Sequence, residues 1–267
     1  MKERLNRRRK IALTTAAAIL TGAVITGAAI KYGEVEANIR TQTLTSAINP
    51  DLASNALVIK PTQEQIATEK ALITKYGFEP LPLGQIQDKK ELARETRRRI
   101  EATISYLAQS QNPLFKETAD FLKEEKAKKS VLVYRVDSLS PDYLPMHTSA
   151  AVNSNGLSYG LAVSDNDASY SLNTVGMALL LTKQVEGIKH NMEYVIPFGD
   201  DIVALANQQS AYLTNEVSMA EREVRENAIL TQALLYQSAL GYEGPVHLNI
   251  QTDARRFIEV YGNPLLQ

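Results

Sequence analysis

The chain has 267 residues, a net charge of −1, no cysteine and no tryptophan. The missing cysteine excludes disulfides, thiolate metal sites, a cysteine nucleophile and a lipid-anchored cysteine in one step, and the mildly acidic balance leaves no electrostatic footprint for nucleic acid. Residues 1–30 carry six Lys/Arg against one Glu, so the remaining 237 residues hold a net −6 and are numerous enough to bury a sizeable core.

Lys2, Arg4, Arg7, Arg8, Arg9 and Lys10 run straight into twenty uncharged, mostly apolar residues, Ile11 to Ile30. A helix of that length rises about 30 Å, the thickness of a bilayer's hydrocarbon core, and cations flanking a span stay on the cytoplasmic side. The expectation is a single-pass signal anchor spanning residues 11–30, with a cytoplasmic N-terminus and an extracytoplasmic body. In the competing reading the segment is cleaved after Thr26-Gly27-Ala28 or Val35-Glu36-Ala37 and the body is secreted. The length favours the anchor, because a cleavable apolar core is about 7–15 residues.

Residues 31–60 are polar and aperiodic, and read as a stalk, with a short helix expected near Ala53 to Leu57. Thr62-Gln63-Glu64-Gln65 is a capping-box pattern that opens a helix ending at Tyr76-Gly77. After the extended Glu79-Pro80-Leu81-Pro82-Leu83-Gly84, Asp88 opens a longer helix with Leu92, Thr96, Ile100, Thr103, Ile104 and Leu107 on one stripe. Arg97-Arg98-Arg99 on that helix, set among Glu91, Glu95 and Glu101, reads as a solvated, salt-bridged face. Asn112-Pro113 begins a third helix running to about Lys128. This makes residues 61–129 a helical segment.

The texture changes at Ser130. Val131 to Val136 and Leu157 to Val163 read as strands, with Tyr143 to Val152 a weaker one and Ala168 to Leu172 a short one. Asn173 caps an apolar helix through Ile188, Asp200 caps a helix to about Leu213, and Val217 to Leu240 form a long helix. Val246 to Ile250 read as a strand, and Thr252 caps the last helix. Residues 130–267 are therefore expected to form an α+β domain with a small, mostly antiparallel sheet packed with helices.

Gly156-Leu157-Ser158-Tyr159-Gly160 matches the G-x-S-x-G pattern, and Asp200 or Asp201 and then His247 follow in the order of a catalytic triad. A nucleophile elbow needs a strand before the serine and a helix after it. Here a turn precedes and a strand follows, so a hydrolase elbow is not expected. Glu186, His190 and Glu193 lie at i, i+4 and i+7 on one helix, a spacing able to present ligands to a metal, with Glu221, Glu223 or Glu226 available from a second helix. The simpler reading is a set of polar residues near a helix end. Asp165-Asn166-Asp167 starts like a calcium loop but lacks its glycine and its closing glutamate, and His147 and His247 have no partner at informative spacing.

The order of elements over residues 130–241 resembles zincin-like metallopeptidases. Leu157 to Val163 would be the family's edge strand, Leu179 to His190 its active-site helix, and Glu223-Val224-Arg225-Glu226-Asn227 its glutamate helix. Lys183, Gln184 and Gly187 then stand where the family's His, Glu and His belong, and none of the three can supply that chemistry. The resemblance implies a scaffold that has lost its catalytic residues and holds an extended peptide without cutting it. No catalytic residue and no cofactor is assigned. The expected role is protein or peptide binding at the cell envelope. One alternative is a metal-dependent hydrolase built on Glu186, His190 and Glu223. Another is a purely structural envelope protein.

Overall fold

The computed structural model describes residues 41–43, 60–81, 88–137, 145–153, 156–165, 167–195 and 201–262. The apolar run 11–30 and the helix expected near Ala53 to Leu57 lie outside the described residues. Among the described residues no helix is long and apolar enough to cross a membrane.

The architecture is α+β. In chain order the elements are β1 (Thr41–Thr43), α1 (Gln63–Tyr76), α2 (Lys89–Gln109), α3 (Pro113–Lys128), β2 (Val131–Asp137), β3 (Met146–Asn153) and β4 (Gly156–Asp165). A single turn, α4 (Asp167–Tyr170), leads to α5 (Thr174–Tyr194), α6 (Ile202–Thr214), α7 (Glu216–Ala239), β5 (Pro245–His247) and α8 (Leu248–Tyr261).

Local sequence signals account for most of these boundaries. Thr62 and Gln65 close a reciprocal capping box on α1. The carboxylate of Asp88 takes the N–H groups of Lys90 and Glu91 at the start of α2, and Asn112 with Pro113 at N1 starts α3. Asn173 caps α5 through the N–H of Gly176. Asp201, rather than Asp200, caps α6. Asn215 serves twice, ending α6 with its backbone and opening α7 with its side chain.

The main sheet has the order β2-β4-β3 and is mixed rather than mostly antiparallel: β2 runs parallel to β4, and β3 antiparallel to it. Leu157 to Val163 is consequently the central strand and not an edge. The edges are β2 and β3. Alternation sends Tyr159, Leu161 and Val163 of β4 into the core, while Ser158 and Gly160 lie on the opposite face. On that outer face the ring of Tyr134 lies against Gly160, where an added Cβ would meet it at 2.7 Å. A second, two-stranded ladder pairs Thr41–Thr43, inside the region read as a stalk, with Pro245–His247.

Three further expectations are corrected. Ala168 to Leu172 is not a strand. Asp167–Tyr170 forms one helical turn, held because Tyr170 is buried with its hydroxyl between the Thr96 hydroxyl (2.6 Å) and the Leu92 carbonyl (3.0 Å). Val246 to Ile250 is a strand only to His247, and the last helix begins there rather than at Thr252. His247 Nδ1 accepts from the Asn249 N–H at 3.3 Å, and Ile250, Ala254, Phe257 and Ile258 then follow a helical period. Finally, Arg99 is not solvated: it is 1% exposed, stacked between Phe78 and Tyr170, and it donates to the carbonyls of Glu79 and Leu172.

One apolar core joins the N-terminal helices to the sheet and to the later helices. Leu72, Tyr106, Leu107, Phe115 and Leu122 pack in the same cluster as Leu161, Leu179, Leu181, Ile188, Leu230 and Leu234. Each such side chain, fully buried, contributes about 1.5–3 kcal/mol. A polar knot reinforces the joint: the wholly buried carboxylate of Glu69 on α1 accepts from the Tyr106 hydroxyl, the Ser110 hydroxyl (2.8 Å), the Gln111 N–H (2.7 Å) and the Gln237 amide (3.2 Å). Burial and the adjacent Glu69 carboxylate push the Tyr106 phenol far above its ordinary pKa, so it stays a donor.

Candidate functional site

The helix expected to carry chemistry is α5, and its partner is α7, the element it packs against most extensively. The two helices approach closely because α5 has a glycine at the crossing. Gly187 has no side chain, and the Arg222–Glu226 pair of α7 fills the space beside it. A Cβ on residue 187 would lie 2.8 Å from Arg222 Nε and closer still to a Glu226 carboxylate oxygen. Arg222 Nε donates to that carboxylate at 2.6 Å, an i,i+4 pair in which both side chains are largely buried.

Lys183, one turn earlier on α5, reaches Asp253 of α8 at 2.6 Å. Gln184 accepts a hydrogen bond at 2.5 Å from Thr148 of β3. The three positions that bear the family resemblance therefore contact three different elements: α8, the sheet edge and α7. The acid that meets Gly187 is Glu226. Glu223, three residues earlier, is exposed on α7.

Arg225 bridges the two carboxylates offered as metal ligands on α5. Its Nε donates to Glu186 at 3.0 Å, and its terminal nitrogens hold both oxygens of Glu193, one of them at 3.1 Å. The guanidinium pulls the Glu193 carboxyl below the usual carboxylate range. His190 is only 7% exposed. Its Nδ1 lies 3.0 Å from the Tyr212 hydroxyl of α6, and its Nε2 lies 3.9 Å from a Glu221 oxygen. Burial raises the Tyr212 phenol above its ordinary pKa. The structure thus brings Glu186, Glu193 and His190 to one end of α5, joins the two acids through an arginine and turns the histidine toward a tyrosine. Glu223 is not brought between them. Among the described residues, no group of three His, Asp or Glu side chains is placed to hold a metal ion.

The G-x-S-x-G segment lies within β4 from end to end. The Ser158 hydroxyl donates to the Ala151 carbonyl at 3.3 Å, Asp201 is engaged with the N–H groups of Val203 and Ala204, and His247 caps α8. Each has a local structural partner of its own. His147 is exposed on the outer face of the sheet. Asp165 is buried, held by Arg135 (2.5 Å) and Thr96 (2.5 Å) in a knot between β4, β2 and α2.

Sequence reasoning missed Arg225 as the partner of the α5 acids Glu186 and Glu193. The signal was present: opposite charges at i,i+4 within Glu221 to Glu226 show a helix able to pair internally, yet nothing in that spacing reveals that Arg225 turns outward to α5 instead. Compared with family models, curated proteins and solved structures, the chain matches none.

Proposed function

We propose that this protein is a membrane-anchored, extracytoplasmic domain that does not catalyse a reaction and acts by holding a protein or an extended peptide at the cell envelope. The observation that carries the reading is the filling of the α5–α7 crossing. At Gly187, where the zincin-like resemblance requires a metal-binding histidine, the Arg222 guanidinium already neutralises the acid that meets it, Glu226. The residues present do not fit a zinc ion. A divalent cation there would have to displace Arg222 from Glu226, and neither Gly187 nor a protonated Lys183 is a ligand.

A binding role has support from β3. Among the described residues this eight-residue strand pairs only with β4, so its second edge offers backbone N–H and C=O groups to an added strand. Gln184 and Thr148 sit beside it. The anchor reading rests on the cation-flanked apolar run at residues 11–30.

Four measurements test the proposal on the full-length chain. Protease added outside intact spheroplasts should digest the C-terminal body, and the protein should stay in the membrane after alkaline carbonate washing. A body shielded from that protease overturns the reading. Metal analysis of the purified chain should find zinc far below one equivalent. Stoichiometric zinc that disappears in H190A would instead establish the hydrolase alternative. A photo-crosslinker at the exposed Ala151 of β3 should trap an envelope protein that the same group at Glu101 of α2 does not.

A further inference from the structure

We propose a second binding site, separate from the β3 edge: the groove between the last turns of α5 and the first half of α7 docks a cationic amphipathic helix of a partner protein. The groove is a shallow, open depression of about 730 Å³. Val217, Ala220 and Val224 line it, spaced i, i+3 and i+7 on α7, which is the stripe a helix presents to another helix. The opposite side of α7 carries Ser218, Arg222, Glu226 and Leu230, which face inward. The core therefore does not account for the outer stripe. Val217 is 65% exposed, and small apolar side chains in this register are the kind of row on which the apolar face of a partner helix seats.

Charge selects the occupant. Glu216 and Glu221 line the groove together with Arg225, whose charge is already taken up by Glu186 and Glu193 of α5. Lys189 is shared between Glu117 at 2.5 Å and Glu186 at 4.0 Å, and Arg222 is paired with Glu226, which leaves the Glu216 and Glu221 carboxylates to set the sign of the rim. His190 closes one end, its Nδ1 held by Tyr212. An apolar stripe rimmed by net negative charge complements a helix with Leu or Val along one face and Lys or Arg flanking it, and it repels an anionic one.

The test uses the full-length chain in a neutral maltoside detergent. The probe is a 14-residue Leu/Lys peptide with its leucines at i, i+3, i+7 and a central photoreactive group. Its controls are a scrambled peptide of identical composition, a Leu/Glu analogue and empty micelles. Crosslinks mapped by mass spectrometry should fall on residues 216–225. Their yield should drop about tenfold in V217D and in E216Q/E221K, corresponding to a tenfold loss of affinity, while E64K on α1 changes nothing. Raising the salt should weaken the reaction. All three altered positions are exposed, and far-UV circular dichroism is the control that the variants fold. Absent crosslinks, crosslinks elsewhere on the chain, equal yields with the scrambled or anionic peptide, or yields unmoved by V217D and E216Q/E221K would each overturn the proposal. None of these outcomes depends on whether β3 binds a peptide or on whether zinc is present.

Discussion

Gly187 shows how the absence of a side chain can be a packing device. A glycine in the middle of a 21-residue helix costs about 1 kcal/mol against alanine when the position is unhindered. Here the notch it leaves seats a buried, hydrogen-bonded ion pair. Gly187→Ala should therefore destabilise the native protein by about 1 kcal/mol, since overpacking costs about 1–3 kcal/mol and the propensity gain offsets part of it. In an R222A/E226A background the same change should stabilise by about 1 kcal/mol. Urea titrations of the four proteins form the cycle that checks this, and additive effects would refute the notch. Arg99 offers a second contrast. Arg99→Ala should cost about 3–5 kcal/mol, because it strands buried carbonyls and leaves a cavity between Phe78 and Tyr170. Arg97→Ala, two residues away and exposed, should stay within about 0.5 kcal/mol.

At the scale of elements, the polar caps tune stability as much as the core does. α8 is opened by a histidine, an acceptor only while its Nδ1 is unprotonated. Burial holds the His247 pKa below its ordinary value near 6.5. The unfolded chain thus takes up a proton at higher pH than the folded one. The contribution of His247 is intact above pH 6.5 and is lost as pH falls from there through the lower folded-state value. Thermal melts at pH 7.5 and 5.5 should show a smaller acid-induced drop for H247S than for the parent, because serine caps without titrating. Caps were also what made the helices legible. Thr62, Asp88, Asn112 and Asn173 each carry a side-chain acceptor immediately before a periodic apolar run, and the structure starts a helix at every one, whereas the expected caps Asp200 and Thr252 give way to Asp201 and His247. The strands were harder to order, because pairing is decided by residues distant in sequence. Leu157 to Val163 looks like any half-buried strand, and nothing within it says that β2 takes one side and β3 the other. Arg99 was unreadable for a similar reason. Its partners are Glu79, Tyr170 and Leu172, up to 73 positions away, while its sequence neighbours suggested a solvated ladder. At the candidate site, the three altered positions of α5 were visible as letters, whereas Arg225, which neutralises Glu186 and Glu193, became apparent only once α7 was laid across the helix.

One apolar cluster ties the helices and the main sheet together among the described residues, which predicts a single unfolding transition. The apolar cluster runs from Leu72 on α1 through Phe115 on α3 to Leu161 on the sheet and Ala254 on α8, and Glu69 is satisfied by groups from α2, the turn after it and α7. Deleting residues 61–129 should leave a remainder without a cooperative unfolding transition, read by circular dichroism at 222 nm during heating. A sharp transition in that fragment would show instead that the α+β half is self-sufficient. The placement of β4 between β2 and β3 carries a temporal consequence. The two outer strands are never neighbours, so no hairpin of β2 with β3 leads to the native ladder. Both must wait for Gly156–Asp165. At about 5–20 residues per second, a newly made chain spends about 1–2 seconds with two strand templates and no legitimate mate. For that interval the nascent protein depends on whatever escorts it, and the middle strand, arriving last of the three, acts as the zip that ends the exposure.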